Sequence, residues 1–306
     1  ISNSTRGIMA GGFDGSNKDR IEYVTIASTG DAVDFGDLTA TAREQSAVCS
    51  TTRGIVCGGQ PGSMTNVLQF ITIMTTGDTT DFGDLSGGNR GTMGAGTSAT
   101  RGVLFGGLSP GTTNIIEFIT MATLGNSVDF GDSTNSSGLR SNGIISDCKR
   151  AISAGEASGD YTRIEFVEIA TTGNAQDFGD LTQDRNQNTA VSSNTRAICI
   201  AGNRTPAISN VMDYVTIATL GNATDFGDTL AAYEHTGSVD NAIRGVITGA
   251  RTPSYLNILE SLTIATTGNS TDFGGLTTLR ADSNRSQINS STRGLIGGGY
   301  ISPTGT

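Results

Sequence analysis

Apolar residues in this chain fall into short runs rather than onto the faces of long helices. One kind of run is β-branched and recurs at Ile21–Ile26, Val67–Ile73, Ile115–Met121, Ile164–Ile169, Val211–Ile217 and Ile258–Ile264. A second kind is an apolar triplet ending in Gly, such as Ile55-Val56-Cys57-Gly58-Gly59. No window carries a 3.6-residue period of useful length, so the pattern predicts strands and no helix. The polar stretches are regular too. Thr-Arg-Gly precedes the triplets, and its Gly suits the left-handed backbone of a tight hairpin. A turn resembling Thr-Thr-Gly-Asn follows each long run and leads to the tetrad Asp-Phe-Gly-Asp. Each unit therefore reads as four strands: A (for example Ser46-Ala47-Val48-Cys49), B (the triplet), C (the long run) and D (the tetrad).

The tetrad begins at Asp34, Asp81, Asp129, Asp177 and Asp225, and as Asp-Phe-Gly-Gly at Asp272, with steps of 47, 48, 48, 48 and 47 residues. The turn arginine recurs at Arg6, Arg53, Arg101, Arg150, Arg196, Arg244 and Arg293. Self-similarity at this period, with four strands per unit, predicts one propeller blade per repeat. A solenoid would carry atypical capping repeats at its ends. Here the ends resemble each other: Ile1-Ser2-Asn3-Ser4-Thr5-Arg6-Gly7 matches Ile288-Asn289-Ser290-Ser291-Thr292-Arg293-Gly294. The expectation is an all-β, six-bladed β-propeller of four antiparallel strands per blade. It would form a single domain over 1–299, with a tail at 300–306. A strand near 284–291 is expected to pair with the first blade and close the ring. The extra strand B at 294–298 would displace the first copy, pair outside the ring, or belong to a continuing array.

Composition sharpens this. Of 306 residues, 43 are Gly and 5 are Pro, which excludes collagen. Low charge with much Ile, Val and Thr argues against disorder. A net charge of −10, with Lys and Arg scattered, argues against nucleic acid as a partner. No apolar run approaches the roughly 20 residues of a membrane span, and the start does not read as a signal peptide. The sequence begins with Ile1 rather than Met, which fits a processed chain or a piece of a longer one. Cys49 and Cys57 flank a predicted hairpin turn, but cross-strand neighbours rarely have disulfide geometry, so buried free thiols are expected. One His and four Cys leave no ordinary transition-metal site, and no cofactor is expected.

The repeat resembles the kelch motif. Arg43, Arg90, Arg140, Arg185 and Arg280 stand where that motif has an Arg opening strand A, with Tyr233 in the fifth blade. Gly11-Gly12, Gly58-Gly59 and Gly106-Gly107 match its Gly pair, and Glu22-Tyr23, Glu117-Phe118, Glu165-Phe166 and Asp213-Tyr214 its acid and aromatic. Its strand-D Trp is replaced by Phe35, Phe82, Phe130, Phe178, Phe226 and Phe273, and the Gly pair becomes Ala-Gly or Gly-Ala in blades four to six. The wording Thr-Ile-Ala-Thr-Thr-Gly-Asn-x-x-Asp-Phe-Gly-Asp-Leu is similar to kelch-like proteins encoded by marine tailed phages. That resemblance implies a virion structural or tail-fibre component.

The six Phe read as buried core. Asp34 and its equivalents read as caps of turn amides rather than calcium ligands. The Thr-Arg-Gly arginines form a ring on one rim and are expected to pair structurally with tetrad acids, and the strand-C acids with a repeat Arg. His235, alone near the start of a strand A, reads as structural, and no nucleophile triad can be assembled. Comparison of the copies divides the blades' two sides. A–B and C–D turns hardly change, whereas the B–C and D–A loops, which strand alternation puts on the opposite side, differ sharply and hold four of the five Pro. Loops on a rigid scaffold commonly carry binding, and aromatics and Arg dominate hot spots. Phe13, Lys18, Tyr161, Arg163, Arg204, Tyr233, Arg251 and Tyr255 are therefore the candidate partner-binding residues, with no catalytic residue and no metal ligand among them. The expected function is a non-enzymatic virion scaffold, located in the particle or outside cells, whose partners are other virion proteins or copies of itself. The alternatives are an adhesion module gripping a host receptor or glycan, and a glycan hydrolase with converging carboxylates in a propeller pocket.

Overall fold

The computed structural model describes residues 1–109, 111–134, 144–155, 161–204, 207–281 and 287–301. Among them there are strands and turns and no helix. The first blade is β1 (Arg6–Phe13), β2 (Asn17–Thr25) and β3 (Val33–Ala42). The second is β4 (Ser46–Cys49), β5 (Arg53–Cys57), β6 (Val67–Thr72) and β7 (Thr80–Asp84). The third is β8 (Gly94–Thr97), β9 (Arg101–Phe105), β12 (Ile115–Thr120) and β13 (Val128–Asp132), with the small hairpin β10 (Leu108–Ser109) and β11 (Gly111–Thr112) in its B–C loop. The fourth is β14 (Ile144–Ser146), β15 (Arg150–Ala154), β16 (Arg163–Glu168) and β17 (Gln176–Asp180). The fifth is β18 (Thr189–Ser192), β19 (Arg196–Arg204), β20 (Ala207–Thr216) and β21 (Thr224–Asp228). The sixth is β22 (Gly237–Asp240), β23 (Arg244–Thr252), β24 (Ser254–Thr263) and β25 (Thr271–Ala281). Last come β26 (Gln287–Asn289), β27 (Gly294–Ile296) and β28 (Tyr300–Ile301). Within each blade the strands pair in chain order, A to D, as the repeat predicts. Arg140 lies outside the described residues.

By contacts the chain divides into two compact units. One is Ile1–Ser141 with Cys148–Ala151 and Val167–Gln176; the other is Asn142–Asp147, Ile152–Phe166 and Asp177–Thr306. Their cores are built alike, from the facing surfaces of successive blades. In the first unit, Val48, Ile55, Leu68, Phe82 and Leu85 pack with Met93, Leu104, Ile119 and Met121 of the next blade. In the second, Val191, Ile198, Met212 and Phe226 pack with Ile247, Leu262 and Ile264. Strand B is buried on both faces, which is why its triplets are unbroken apolar runs.

The described part of the strand near 284–291, β26, pairs with β27 through Gln287↔Ile296, Ile288↔Leu295 and Asn289↔Gly294. The first blade is the three-stranded sheet β1-β2-β3, extended by a bridge between Ser2 and Gly7. The β26–β27 pairing has a local cause. The Thr292-Arg293-Gly294 turn closes a hairpin with Ser290 N–H on the Arg293 carbonyl at 2.8 Å, so β26 finds a partner at almost no loop-closure cost. Val239 of the sixth blade packs against Gly294, where an added Cβ would come within 2.4 Å of its Cγ2. The hairpin β26–β27 thus packs against the sixth blade. Of the segment 300–306, the described residues Tyr300 and Ile301 pair with Ala281 and Arg280 of β25.

Phe35, Phe82, Phe130, Phe178 and Phe226 are buried, at 2–3% exposure, but Phe273 is 51% exposed. Each buried Phe meets a strand-C aromatic edge-on, with ring centroids 5.7–6.2 Å apart. In the sixth blade the corresponding strand-C residue is Ser261, opposite Thr271, so Phe273 has no such ring; Arg244 lies 5.6 Å over it instead. Cys57 and Cys199 are free buried thiols, and Cys49 is a free, half-buried one. In the β4–β5 hairpin Cys49 lies opposite Gly54 and Cys57 opposite Ser46, so those two do not face each other.

Candidate interaction surface and the joints that hold it

Backbone bonds assign the loops to sides. Strand C ends on the A–B turn of its own blade: Ile73 N–H donates to Thr52 O at 2.8 Å, Met121 to Thr100 at 2.9 Å and Ile217 to Thr195 at 2.9 Å. On the other side the D–A segment meets the B–C loop through Arg43↔Gln60, Gly91↔Leu108, Asn186↔Asn203 and Glu234↔Arg251. In the second, third, fifth and sixth blades the diverse loops therefore do share one side, as alternation predicted.

In the first unit these loops place Phe13 at the end of β1, 51% exposed, with the Arg43 guanidinium 4.9 Å from its ring centroid. Arg43 also donates to Gln60 Oε1 through Nε and Nη2, at 3.0 and 2.9 Å. Lys18 pairs with Asp14 at 2.9 Å, and that bond holds the Asp14 carboxyl below its ordinary value. Asn17 ties the first B–C loop to the second by donating to Gln60 O and Pro61 O. In the second unit Tyr161, Asp184, Asn186, Asn203 and Arg204 line one cleft of about 20 Å³. Arg204 reaches Asp184 at 2.7 Å, Asn203 donates to Glu234 Oε2 at 2.7 Å, and Arg251 lies 3.6 Å from Glu234. Tyr255 sits opposite Arg251 across the β23–β24 pair. Tyr161, Arg204, Arg251 and Tyr255 thus fall on one continuous polar strip. Arg163 is half-buried in β16 and belongs to the blade more than to the strip.

Tyr233 is a correction. It is only 4% exposed, and its hydroxyl donates to Glu260 Oε1 at 2.6 Å. Burial, then the bond to Glu260 and its charge, push the phenol well above its ordinary value. Tyr233 does the work that Arg does elsewhere. Arg90 pairs with Glu117 and Arg185 with Asp213, both pairs fully buried. Burial lowers the Arg90 guanidinium to about 10. The same acids take donors from the preceding D–A segment: Thr182 N–H and Oγ1 on Asp213, and Leu230 N–H on Glu260. In the second blade neutral Gln69 takes this place, accepting from Thr39 and Thr79, and Arg43 turns out to Gln60. The strand-C acid is therefore a latch between successive blades.

Four of the Thr-Arg-Gly arginines meet a ring face and a backbone carbonyl where pairing with tetrad acids was expected. Arg53 lies 4.6 Å over the Phe70 ring and donates to the Met121 carbonyl of the next blade at 2.9 Å. Arg6, Arg101 and Arg196 repeat this on Tyr23 and Ile73, Phe118 and Ile169, and Tyr214 and Ile264. Arg150 meets Glu168 at 2.7 Å. At Arg6, Arg53, Arg101 and Arg196 a backbone carbonyl and a ring face lie within reach and take the cation. The tetrad caps are present in two blades: Asp225 accepts from Gly227 N–H and Asp272 from Gly274 N–H, each at 3.1 Å. His235 has φ 55°, in register with Glu44, Thr92 and Gln187, so it occupies a left-handed corner before strand A.

The joint between blades is the feature sequence reading missed. The Gly-Asn turn of one blade lands on the Phe-Gly-Asp of the one before. Gly125 N–H donates to Phe82 O at 2.8 Å, Ser127 N–H to Asp84 O at 2.9 Å, and Asp84 N–H to Asn126 Oδ1 at 3.0 Å. The same set joins Gly77–Thr79 to Phe35–Asp37, Gly173–Ala175 to Phe130–Asp132, Gly221–Ala223 to Phe178–Asp180, and Gly268–Ser270 to Phe226–Asp228. The tetrad Gly is required twice over at Gly83: φ is +143°, and a Cβ would lie 2.5 Å from the Gly125 carbonyl. The signal was present as the invariance of both motifs across the copies.

Among the described residues no three His, Cys, Asp or Glu side chains gather as a cation site. A depression of about 330 Å³ lies among the turns Ser193–Arg196 with Ala242 and Ala265. Its one charged group, Arg196, is spent on the Ile264 carbonyl.

No protein-family model and no curated protein matches the chain. Among the solved structures it matches is one titled "Structure of YjhT", at 11% identity and a TM-score of 0.68, covering 86% of this chain and 91% of that one. At that identity the likeness shows the fold, a six-bladed β-propeller.

Proposed function

We propose that the chain is a non-enzymatic interaction scaffold of a virus particle, a decoration or fibre component, that holds other virion proteins through its diverse loops. The observation that carries this is the division of each blade. Repeated latches and joints keep one framework constant, while Phe13, Lys18, Tyr161, Arg204, Arg251 and Tyr255 vary the other side. The repeat wording that resembles phage kelch-like proteins supports placement in a virion. A propeller fold suits such a scaffold. The test is a pull-down of particle proteins with the chain and with an alanine set at Phe13, Tyr161, Arg204, Arg251 and Tyr255. Loss of capture by the set, at unchanged Tm, supports the reading; undiminished capture refutes it.

A second reading, adhesion to a host glycan, is favoured by Tyr255 standing across from Arg251 beside the carboxylate of Glu234. An aromatic with bidentate polar groups is a common sugar platform. Loss of adsorption after swapping the Arg251–Leu256 loop, with particle assembly intact, would select it.

A further inference from the structure

We propose that Arg43 and Phe13 form a docking site for an acidic segment of another protein, with a carboxylate on the guanidinium and an apolar side chain on the ring. The proposal rests on reading the diverse side as the binding side, and it names the partner's chemistry there. It starts from a latch that is not made. In the third, fifth and sixth blades the residue in register with Arg43 is buried and spent on the strand-C acid: Arg90 on Glu117, Arg185 on Asp213 and Tyr233 on Glu260. In the second blade that acid is replaced by Gln69. Its Oε1 accepts from Thr39 N–H at 2.8 Å, Thr39 Oγ1 at 2.9 Å and Thr79 Oγ1 at 2.7 Å. Glu117 Oε1 accepts from Ser86 Oγ, Gly87 N–H and Ser127 Oγ in the same way. The remaining atom differs. In Glu117 it is an oxygen that receives Arg90; in Gln69 it is Nε2, a donor, which cannot bond a guanidinium. Arg43 is therefore only half-buried, whereas Arg90 and Arg185 are 0% and 1% exposed.

The released guanidinium is held in one orientation. Gln60 Oε1 accepts from its Nε and Nη2 at 3.0 and 2.9 Å, which takes one edge of the fork, and the Phe13 ring centroid lies 4.9 Å from Cζ. The Nη1–Nη2 edge is left over, and among the described residues no carboxylate forms an ion pair with Arg43. Two parallel N–H groups of that edge match a carboxylate bidentately. Lys18 and Asp14 neutralise each other at 2.9 Å, so Arg43 is the uncompensated charge beside Phe13. Phe13 is 51% exposed, and Asn17 fixes its loop by donating to Gln60 O and Pro61 O. An exposed aromatic and an Arg within a polar rim have the form of a protein hot spot. Gln60 Oε1, the side-chain acceptor beside Arg43, is already spent, which favours a carboxylate over sugar hydroxyls. The complement of this site is thus negative beside apolar.

The test has two readouts, phenylglyoxal labelling followed by peptide mass spectrometry, and selection from a random displayed peptide library with counter-selection on Gln69→Glu. Gln69→Glu supplies the missing acceptor and should draw Arg43 into the latch without loss of Tm. Phenylglyoxal should modify Arg43 in the wild-type chain and be slowed roughly tenfold or more by Gln69→Glu, as burial of a paired guanidinium requires. Selected peptides should carry Asp or Glu next to an apolar or aromatic residue. Their affinity should fall roughly tenfold or more with Gln69→Glu, Arg43→Ala and Phe13→Ala, each with an unchanged circular dichroism spectrum. Equal labelling of Arg43 in both chains, no enrichment over the counter-selection, selected peptides without an acid, or capture of neutral oligosaccharides from a glycan array in place of peptides would each overturn the proposal. Particle proteins captured equally by wild type and Arg43→Ala would overturn it and leave the scaffold reading standing. Acidic peptides selected by a chain that is missing from particles would support it and refute the virion reading alone.

Discussion

Replacing Gly83 with Ala isolates the cost of opening one joint, if Gly274→Ala is measured beside it. Both glycines hold a positive φ, +143° and +122°, so both alanines carry left-handed strain of about 1–3 kcal/mol. At Gly274 that is the whole cost, because the added methyl enters open space. At Gly83 the methyl would sit 2.5 Å from the Gly125 carbonyl, a backbone group that cannot swing aside. The turn must lift, and with it go the bonds Gly125 N–H to Phe82 O, Ser127 N–H to Asp84 O and Asp84 N–H to Asn126. At about 1 kcal/mol net for each, the extra loss is about 3 kcal/mol. At roughly 2–4 °C per kcal/mol for a chain of this size, Gly83→Ala should melt about 6–12 °C below Gly274→Ala. Urea unfolding of dilute protein gives the same comparison from midpoints at constant slope. Equal losses at the two sites would refute the joint as a source of stability, leaving only the shared backbone strain.

Other outcomes follow from the same packing. Phe82→Ala should lower stability by about 3–5 kcal/mol and Phe273→Ala by about 0.5 kcal/mol or less, read from urea midpoints; similar losses would mean that Phe273 is buried in solution. Arg90→Ala strands the buried Glu117 carboxylate and should cost about 3–5 kcal/mol, whereas Arg43→Ala, whose partner is the loop residue Gln60, should cost under about 1 kcal/mol. Tyr233→Phe removes one of the donors to Glu260 and should cost about 1.5–3 kcal/mol, measured by the same unfolding. Burial pushes the Cys57 thiol from 9.0 up to about 12 and Cys199 up to about 11. The folded thiols hold protons that the unfolded ones release, so this contribution is intact below pH 9 and is lost as pH rises toward 11–12. Between pH 9 and 10 each thiol should lower stability by up to about 1.4 kcal/mol per pH unit, partly offset by Arg90, which is lowered to about 10 and begins to titrate there with the opposite sign. A Cys57→Ala/Cys199→Ala chain should show a shallower fall; an identical pH slope would contradict the burial account.

Much of the fold was legible because the repeat states it six times. The strand order, the paired sides of the loops and five of the six core Phe follow from runs and turns that recur every 47 or 48 residues. What was not legible depends on spatial neighbours. Phe273 shares the tetrad wording, yet strand C places Ser261 rather than an aromatic at the position that meets the other Phe, and Phe273 is half exposed. Tyr233 looked like a surface anchor because it falls in a variable loop, but it stands in register with Arg90 and Arg185 and so faces the strand-C acid. The Thr-Arg-Gly arginines have acids close in sequence, yet a carbonyl and a ring lie nearer in space. Among the loop candidates, Tyr161, Arg204, Arg251 and Tyr255 do come together, because the D–A and B–C bridges hold the loops side by side.

The central claim is that this propeller is a structural part of a virus particle. Quantitative mass spectrometry of density-purified virions tests it directly. The account predicts peptides of this chain at a fixed, multi-copy ratio to the major particle protein, retained through a second round of purification. Abundance of the chain in infected-cell lysate with none in the purified particles would contradict it.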